Sequence, residues 1–250
     1  MSHHITEARN LQYIYPDGRE ALKDVSFRIL HGESVGVVGG NGAGKTTLLM
    51  LLVGIIFPCK GEVIVGEAPV AKKTLPLIRQ KVGLLFQNSD DQLFMTTVYD
   101  DVAFGPRNYK LDEREVERRA VKALETVGIA HLRDRAPYKL SGGEKRAAAI
   151  ASVLAMAPDI LLLDEPSAAL DPRARRRLIN LLKGFSHTKI IATHDLDLVF
   201  ELCERTIILK DGAVLSDGPT ADILTDMSLL EQSGLEAPLS LQNCPVCGKK

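Results

Sequence analysis

The sequence predicts an α/β protein, on three observations. Short runs of aliphatic and β-branched residues alternate with longer stretches of helical periodicity, the order expected of a sheet crossed by helices. An apolar run, Ser34-Val-Gly-Val-Val38, leads through a glycine-rich turn into a helical pattern, Thr46-Thr-Leu-Leu-Met-Leu-Leu-Val53. A second apolar run, Ile160-Leu-Leu-Leu163, ends on two carboxylates, Asp164 and Glu165.

Taken in order, the candidate strands are 25–30, 34–38, 62–65, 82–86, 160–163, 189–193, 206–209 and 213–216. The first of these alternate in polarity and are expected to be half exposed. Between 88 and 157 the strand patterns give way to helical ones, including a charged stretch at 112–127 and a helix over 146–156. A helical subdomain inserted in the sheet is expected at about 88–157, within one domain of residues 1–232 followed by a tail, 233–250. The glycine-rich turn does not recur, so one chain carries one such unit.

Composition narrows the classes. The chain has 250 residues, enough for one or two domains, and 45% of them are hydrophobic, ample for a core. A net charge of −1 provides no global basic field, so nucleic acid is not a favoured partner. The longest apolar run, 48–58, is too short to cross a bilayer, and the first residues lack a signal-peptide pattern. A soluble, cytoplasmic chain is expected. Four cysteines, only two of them close together, make no disulfide framework at this size.

The glycine-rich turn, Gly39-Gly40-Asn41-Gly42-Ala43-Gly44-Lys45-Thr46, has the spacing of a P-loop in the strand–turn–helix context that such a match requires. Its glycines permit positive φ, so successive N–H groups, followed by a helix N-terminus, can surround a phosphate. Lys45 would reach the β- and γ-phosphates, the Thr46 hydroxyl would ligate Mg²⁺, and Thr47 completes the cradle. At the second apolar run, Asp164 fits the acid that holds Mg²⁺ through water. Glu165, pointing the other way, fits a general base for the attacking water.

Leu140-Ser141-Gly142-Gly143-Glu144 precedes a helical pattern, and Ser141 with Glu144 reads as a capping box. The same groups, at a helix N-terminus, also suit a phosphate.

With these motifs assembled, the chain from about 11 to 224 resembles the ATPase subunit of ABC transporters. The resemblance rests on the P-loop, the acidic strand end, Gln87 after the strand at 82–86, the signature Leu140–Glu144, Ser167-Ala-Ala-Leu-Asp171, and His194 after Thr193. It implies a P-loop NTPase core of ABC ATPase type, with an N-terminal antiparallel β subdomain and an inserted α-helical subdomain. It also implies ATP hydrolysis with Mg²⁺ as cofactor, Gln87 shared between metal and water, and His194 reporting the γ-phosphate. Ser141, Gly142 and Gly143 would bind the γ-phosphate held by a second copy or a related paired ATPase. Asp171 would link the two sites, although N-capping the helix that begins at Pro172 accounts for it equally well. Tyr15 would stack on adenine, with Tyr13 the alternative because a period of two puts both rings on one face.

The segments Leu85-Phe-Gln87-Asn-Ser-Asp-Asp-Gln-Leu-Phe94 and Thr97-Val-Tyr-Asp-Asp-Val-Ala-Phe-Gly105 are similar to the energy-coupling-factor type, especially its cobalt and nickel branch. The resemblance implies an ATPase on the cytoplasmic face of the membrane that drives uptake of a transition-metal ion, cobalt or nickel; the alternatives are the same motor role for a vitamin importer, or a soluble, non-transport ABC ATPase. It implies a groove after Gln87 for a membrane subunit, with Leu93, Phe94, Val98 and Phe104 as apolar anchors and Asp90, Asp91, Asp100 and Asp101 meeting arginines. A solvated acidic loop over core aromatics is the plainer reading. Three positions depart from the common pattern: Glu144 in place of glutamine, Ala168 in place of glycine, and Ala147 where an arginine is frequent, with Arg146 just before it. In the tail, Cys244 and Cys247 form half of a zinc site that a second copy, or His3 and His4, could complete, or simply two thiols on a flexible end. Cys59 and Cys203 are expected in the core.

Overall fold

The computed structural model describes residues 6–242. In chain order the elements are β1 (Thr6–Ile14), β2 (Glu20–Ile29), β3 (Ser34–Val38), α1 (Lys45–Leu52), β4 (Lys60–Val65), β5 (Ala68–Pro69), α2 (Leu75–Lys81), β6 (Val82–Leu85) and α3 (Val98–Asn108). They continue with α4 (Glu113–Thr126), α5 (Gly142–Leu154), β7 (Ile160–Asp164), α6 (Pro172–Lys183), β8 (Thr188–Thr193), α7 (Leu196–Leu202), β9 (Arg205–Lys210), β10 (Ala213–Pro219), α8 (Thr220–Thr225) and α9 (Met227–Ser233). These elements gather into two compact units, one of residues 1–79 with 187–250 and one of residues 80–186.

The first unit contains an antiparallel sheet in the order β2-β1-β4-β5. Alternation in β2 buries Val25, Phe27 and Ile29 and leaves the residues between them in solvent. Strand β1 went unread in the sequence because its alternation is broken: Asn10 has φ 49, and the register to both neighbours shifts there. In the same unit β3 pairs in parallel with β8 on one side and β9 on the other, and all five of its residues are buried. That is why β3 reads as an unbroken apolar run rather than an alternating one. Gly36 is required at its centre, since a Cβ there would stand 2.5 Å from Val199 Cγ1 of α7.

In the second unit β6 and β7 pair in parallel, and the described chain between them contains α3, α4 and α5 and no strand. The Asp112 side chain caps α4 by accepting from the Arg114 and Glu115 N–H groups, and the helix buries Val116, Ala120, Ala123 and Leu124 along one stripe. Gly83 gives α5 room to lie on β6, because a Cβ there would meet Val153 Cγ1 at 2.5 Å. No described helix is long and apolar enough to cross a membrane.

Cys203 is buried, and burial pushes its thiol up to about 12. Cys59 corrects the expectation of a core residue: it is exposed, in the turn entering β4, its N–H donating to the Gln12 carbonyl at 2.8 Å. The apolar run preceding it ends before that turn. Cys244, Cys247, His3 and His4 lie outside the described residues.

Candidate functional site

In the first unit, parallel pairing of β3 and β8 sets Val38 opposite Thr193, so the glycine-rich turn and His194 leave the sheet at one edge. This carboxyl edge of adjacent parallel strands is where open α/β sheets bind ligands. Each turn glycine has its own reason. Gly44 is the N-cap of α1 at φ 103, and a Cβ there would lie 2.7 Å from both Ala21 O and Leu22 Cδ2. A Cβ at Gly40 or Gly42 would instead meet nothing within 4 Å, so the outer side of the turn is open. No side chain caps α1. Its first-turn N–H groups, at the positive end of the helix dipole, therefore face an open cradle suited to an anion.

Lys45 is 7% exposed and folds back over this cradle, donating from Nζ to Gly39 O at 2.7 Å and Gly40 O at 3.1 Å. An ammonium held by two carbonyls one turn away can exchange them for phosphate oxygens with little rearrangement. The Tyr15 hydroxyl is 2.9 Å from Thr47 Oγ1, the Tyr13 ring meets Tyr15 edge-on at 4.9 Å, and the Arg19 guanidinium lies 4.6 Å from the Tyr15 ring centre. Of the two tyrosines, Tyr15 is thus the one tied to the helix behind the cradle. His194 is exposed, and its turn is pinned on both sides: Asp195 N–H donates to Thr193 Oγ1 at 3.0 Å, and Asp195 Oδ1 accepts from Leu198 N–H to cap α7.

In the second unit the register of β6 and β7 sets Leu85 opposite Leu163, so Phe86-Gln87 and Asp164-Glu165 also leave one edge together. Asp164 and Glu165 are buried, at 3% and 6% exposure, whereas Gln87 is exposed. Glu165 has φ 45, a left-handed conformation that costs a side-chain-bearing residue about 1–2 kcal/mol. Between these two chain exits sits Arg146, 3% exposed on α5. Its Nε donates to Pro166 O at 3.2 Å, Nη1 to the Phe86 carbonyl and to Gln87 O at 3.1 Å, and Nη2 to Asp164 O and Glu165 O at 2.7 Å each. Burial draws the guanidinium down to about 10, against the upward pull of the Asp164 and Glu165 charges, so it stays protonated at neutral pH.

The signature segment caps α5 with a complete capping box: Ser141 Oγ accepts from Glu144 N–H at 3.3 Å, and a Glu144 carboxylate oxygen accepts from Ser141 N–H at 2.7 Å. Those bonds hold the Glu144 carboxyl below the usual glutamate range. Asp171 caps α6 through Ala174 N–H at 2.8 Å. Ser141, Gly143, Glu144, Ala147 and Asp171 all border one cavity of about 760 Å³ within this unit. Ser141 and Gly142 are exposed.

A sequence profile described as ABC transporter matches residues 22–168. A protein of Geobacter sulfurreducens described as an ABC transporter ATP-binding protein is 61% identical over 249 residues, covering 100% of both chains. This chain belongs to the ABC transporter family. It is an ATPase of that family. An energy-coupling factor transporter ATP-binding protein of Carboxydothermus hydrogenoformans is 47% identical to the ABC ATPase over 236 residues, 93% of this chain and 87% of that one. Among solved structures, cbiO1 of Clostridium perfringens, described as part of the ABC transporter complex cbiONQ, superposes with a TM-score of 0.80. The identity is 38%, over 92% of this chain and 94% of that one.

The segment after Gln87 needs correction in detail. Leu93 and Val98 are core residues of the ABC ATPase, at 8% and 0% exposure, so of the four expected anchors only Phe94 and Phe104 stand out. Their rings pack edge to face at 5.0 Å. Asp101 points inward, accepting from the Phe94 and Met95 N–H groups, and burial raises its carboxyl. Asp100 is bound to Thr97 and Arg107, and Asp90 to Lys145 at 2.6 Å. The reason is helix capping: Thr97 starts α3, which places Asp100 and Asp101 in its first turn, one facing the cap and one the core. Arg146 was the residue that motif reading passed over. Its signal was a charge on the stripe Arg146, Ala149, Ile150 and Val153, all buried.

Proposed function

We propose that this ABC ATPase is the motor of an energy-coupling-factor importer, working as a homodimer or beside a related ATPase on the cytoplasmic face of the membrane, with cobalt or nickel ion as cargo. Two copies close around two ATP molecules and part when these are hydrolysed. The observation that carries the importer assignment is the exposed aromatic pair Phe94 and Phe104, 63% and 41% exposed, in a segment that also carries Asp90, Asp91 and Asp100. Exposed paired aromatics on an acidic segment suit an amphipathic helix of a membrane subunit. The likeness to an energy-coupling factor protein and to cbiO1 supports the same reading.

In this reading the N–H groups of Gly39, Gly40, Asn41, Gly42, Ala43 and Gly44 enclose the β-phosphate. Lys45 leaves its two carbonyls for the β- and γ-phosphates, and Tyr15 stacks on adenine. The Thr46 hydroxyl, the Gln87 amide and the Asp164 carboxylate are all oxygen donors, the set that a small hard dication takes. Mg²⁺ held by these donors would offset phosphate charge. Glu165 accepts a proton from the attacking water, Gln87 orients that water, and His194 hydrogen-bonds the γ-phosphate. Ser141, Gly142 and Gly143 of one copy bind the γ-phosphate held by the other copy, and Asp171 sits at that junction. Closure therefore needs triphosphate, and hydrolysis removes the bond that holds the pair.

The test is assembly. The chain is expressed with a candidate polytopic membrane protein, the complex is purified, and its metal content and ATP-dependent cobalt or nickel uptake are measured. Phe94→Ala with Phe104→Ala is expected to abolish co-purification while leaving ATP affinity intact. Co-purification unchanged by the double variant removes the docking surface, and vitamin uptake without metal uptake removes the cargo.

A further inference from the structure

We infer that Arg146 is the positioning residue that locks the Gln87 loop and the Asp164–Glu165 turn into one rigid piece for ATP hydrolysis. The inference rests on the functional reading above only for the roles of Gln87 and Glu165.

A guanidinium has five N–H donors in a planar fork and no acceptor. Here all five are used, on five main-chain carbonyls of two separate segments: Phe86 and Gln87 on one, and Asp164, Glu165 and Pro166 on the other. Three successive carbonyls can converge on one cation because Glu165 adopts φ 45, turning its peptide unit back toward the others. The left-handed conformation and the arginine thus depend on each other. With Arg146 removed, five carbonyls lose the guanidinium that joins them, Glu165 O keeping only the Ala168 N–H at 3.1 Å, and Glu165 loses an interaction that offsets its strain. Nothing else could fill the role. Lysine has three donors about a point and cannot span both segments.

The consequence concerns chemistry rather than binding. The hydrogen bonds of Arg146 go to main-chain carbonyls, so what it fixes is the backbone that carries Gln87, Asp164 and Glu165. A displacement of about 1 Å in a base or a water-orienting group costs about 100-fold in rate. Nucleotide affinity, which depends mainly on the cradle at 39–46 and on Tyr15, changes far less than turnover under such a displacement.

The experiment compares the full chain with its R146M and R146K variants by steady-state ATP hydrolysis, ATP titration calorimetry and hydrogen exchange. R146M is expected to bind ATP within about threefold of the unchanged chain and to turn over about 100-fold more slowly, with faster amide exchange at both 86–88 and 164–167. R146K is expected to recover part of the rate. Turnover at the original rate in folded R146M overturns the inference, as does a loss that falls on ATP affinity with turnover preserved. Should R146M not fold, R146K decides: raised exchange at one or both segments supports the strut, and unchanged exchange at both overturns it. A parent chain that hydrolyses no ATP in its assembled complex would instead sink the functional reading, leaving the exchange result to judge Arg146 alone.

Discussion

Two cations in this molecule rest against main-chain carbonyls, and they differ in where those carbonyls come from. Lys45 donates to Gly39 and Gly40, within a single turn of chain. Arg146 donates to carbonyls of residues 86, 87, 164, 165 and 166, brought together from two strand ends in space. The two carbonyls that hold the lysine are local and replaceable by other oxygens. The arginine's donors are all committed, so it serves as a strut. Position in the chain thus separates a binding group from a structural one, even where both are buried cations on carbonyl oxygens.

Breaking each arm of this comparison gives distinct outcomes. The largest effect is expected at the turn that the strut holds: Glu165→Gln should lower ATP turnover by about 10³-fold while preserving ATP binding and lengthening the life of the closed dimer. Normal turnover in that variant would remove Glu165 as the base. Lys45→Ala should do the opposite, weakening ATP by about 2–3 kcal/mol, as for a lost hydrogen bond to a charged group. Calorimetry showing undiminished affinity would take Lys45 out of the cradle. Gly44→Ala tests the backbone under the lysine. The new Cβ would meet Ala21 O and Leu22 Cδ2 at 2.7 Å with φ at 103, and a loss of about 2–3 kcal/mol in denaturant unfolding is expected.

The smallest effect belongs to the signature cap. Ser141→Ala should cost about 1 kcal/mol of stability, read by urea titration. Glu144 adds a pH signature. Its carboxyl is lowered in the folded state by the bonds from Ser141, so its contribution is whole above the ordinary glutamate range and disappears as pH falls through the lowered value. Amide exchange in the first turn of α5 should rise on acidification through that window. In Ser141→Ala the rise should shrink, and an identical acid response in the two chains would detach Glu144 from the cap.

Much of the architecture was legible because its causes are local. The cradle at 39–46 is specified by glycines at positions that need positive φ or close approach, and a neighbour in sequence suffices to reveal it. Strands β3 and β7 announced themselves as unbroken apolar runs because both of their faces are covered. Strand β1 did not, since a bulge at Asn10 scrambles the alternation on which strand reading relies. The acidic segment after Gln87 was half legible. Its aromatic and acidic content could be read, but which of Leu93, Phe94, Asp100 and Asp101 face outward depends on where α3 starts and how it packs.

The glycine-rich cradle, the capped helix after Ser141 and the strands with unbroken apolar runs were already settled in the linear chain, since each follows from interactions among residues within a few positions of one another. Folding in three dimensions was needed to make Arg146 join the Gln87 loop to the Glu165 turn. Carbonyl groups are the same at every residue, so no pattern of side chains marks which five will converge on one guanidinium. Only the parallel register of β6 and β7, with α5 laid across them, brings those carbonyls within reach.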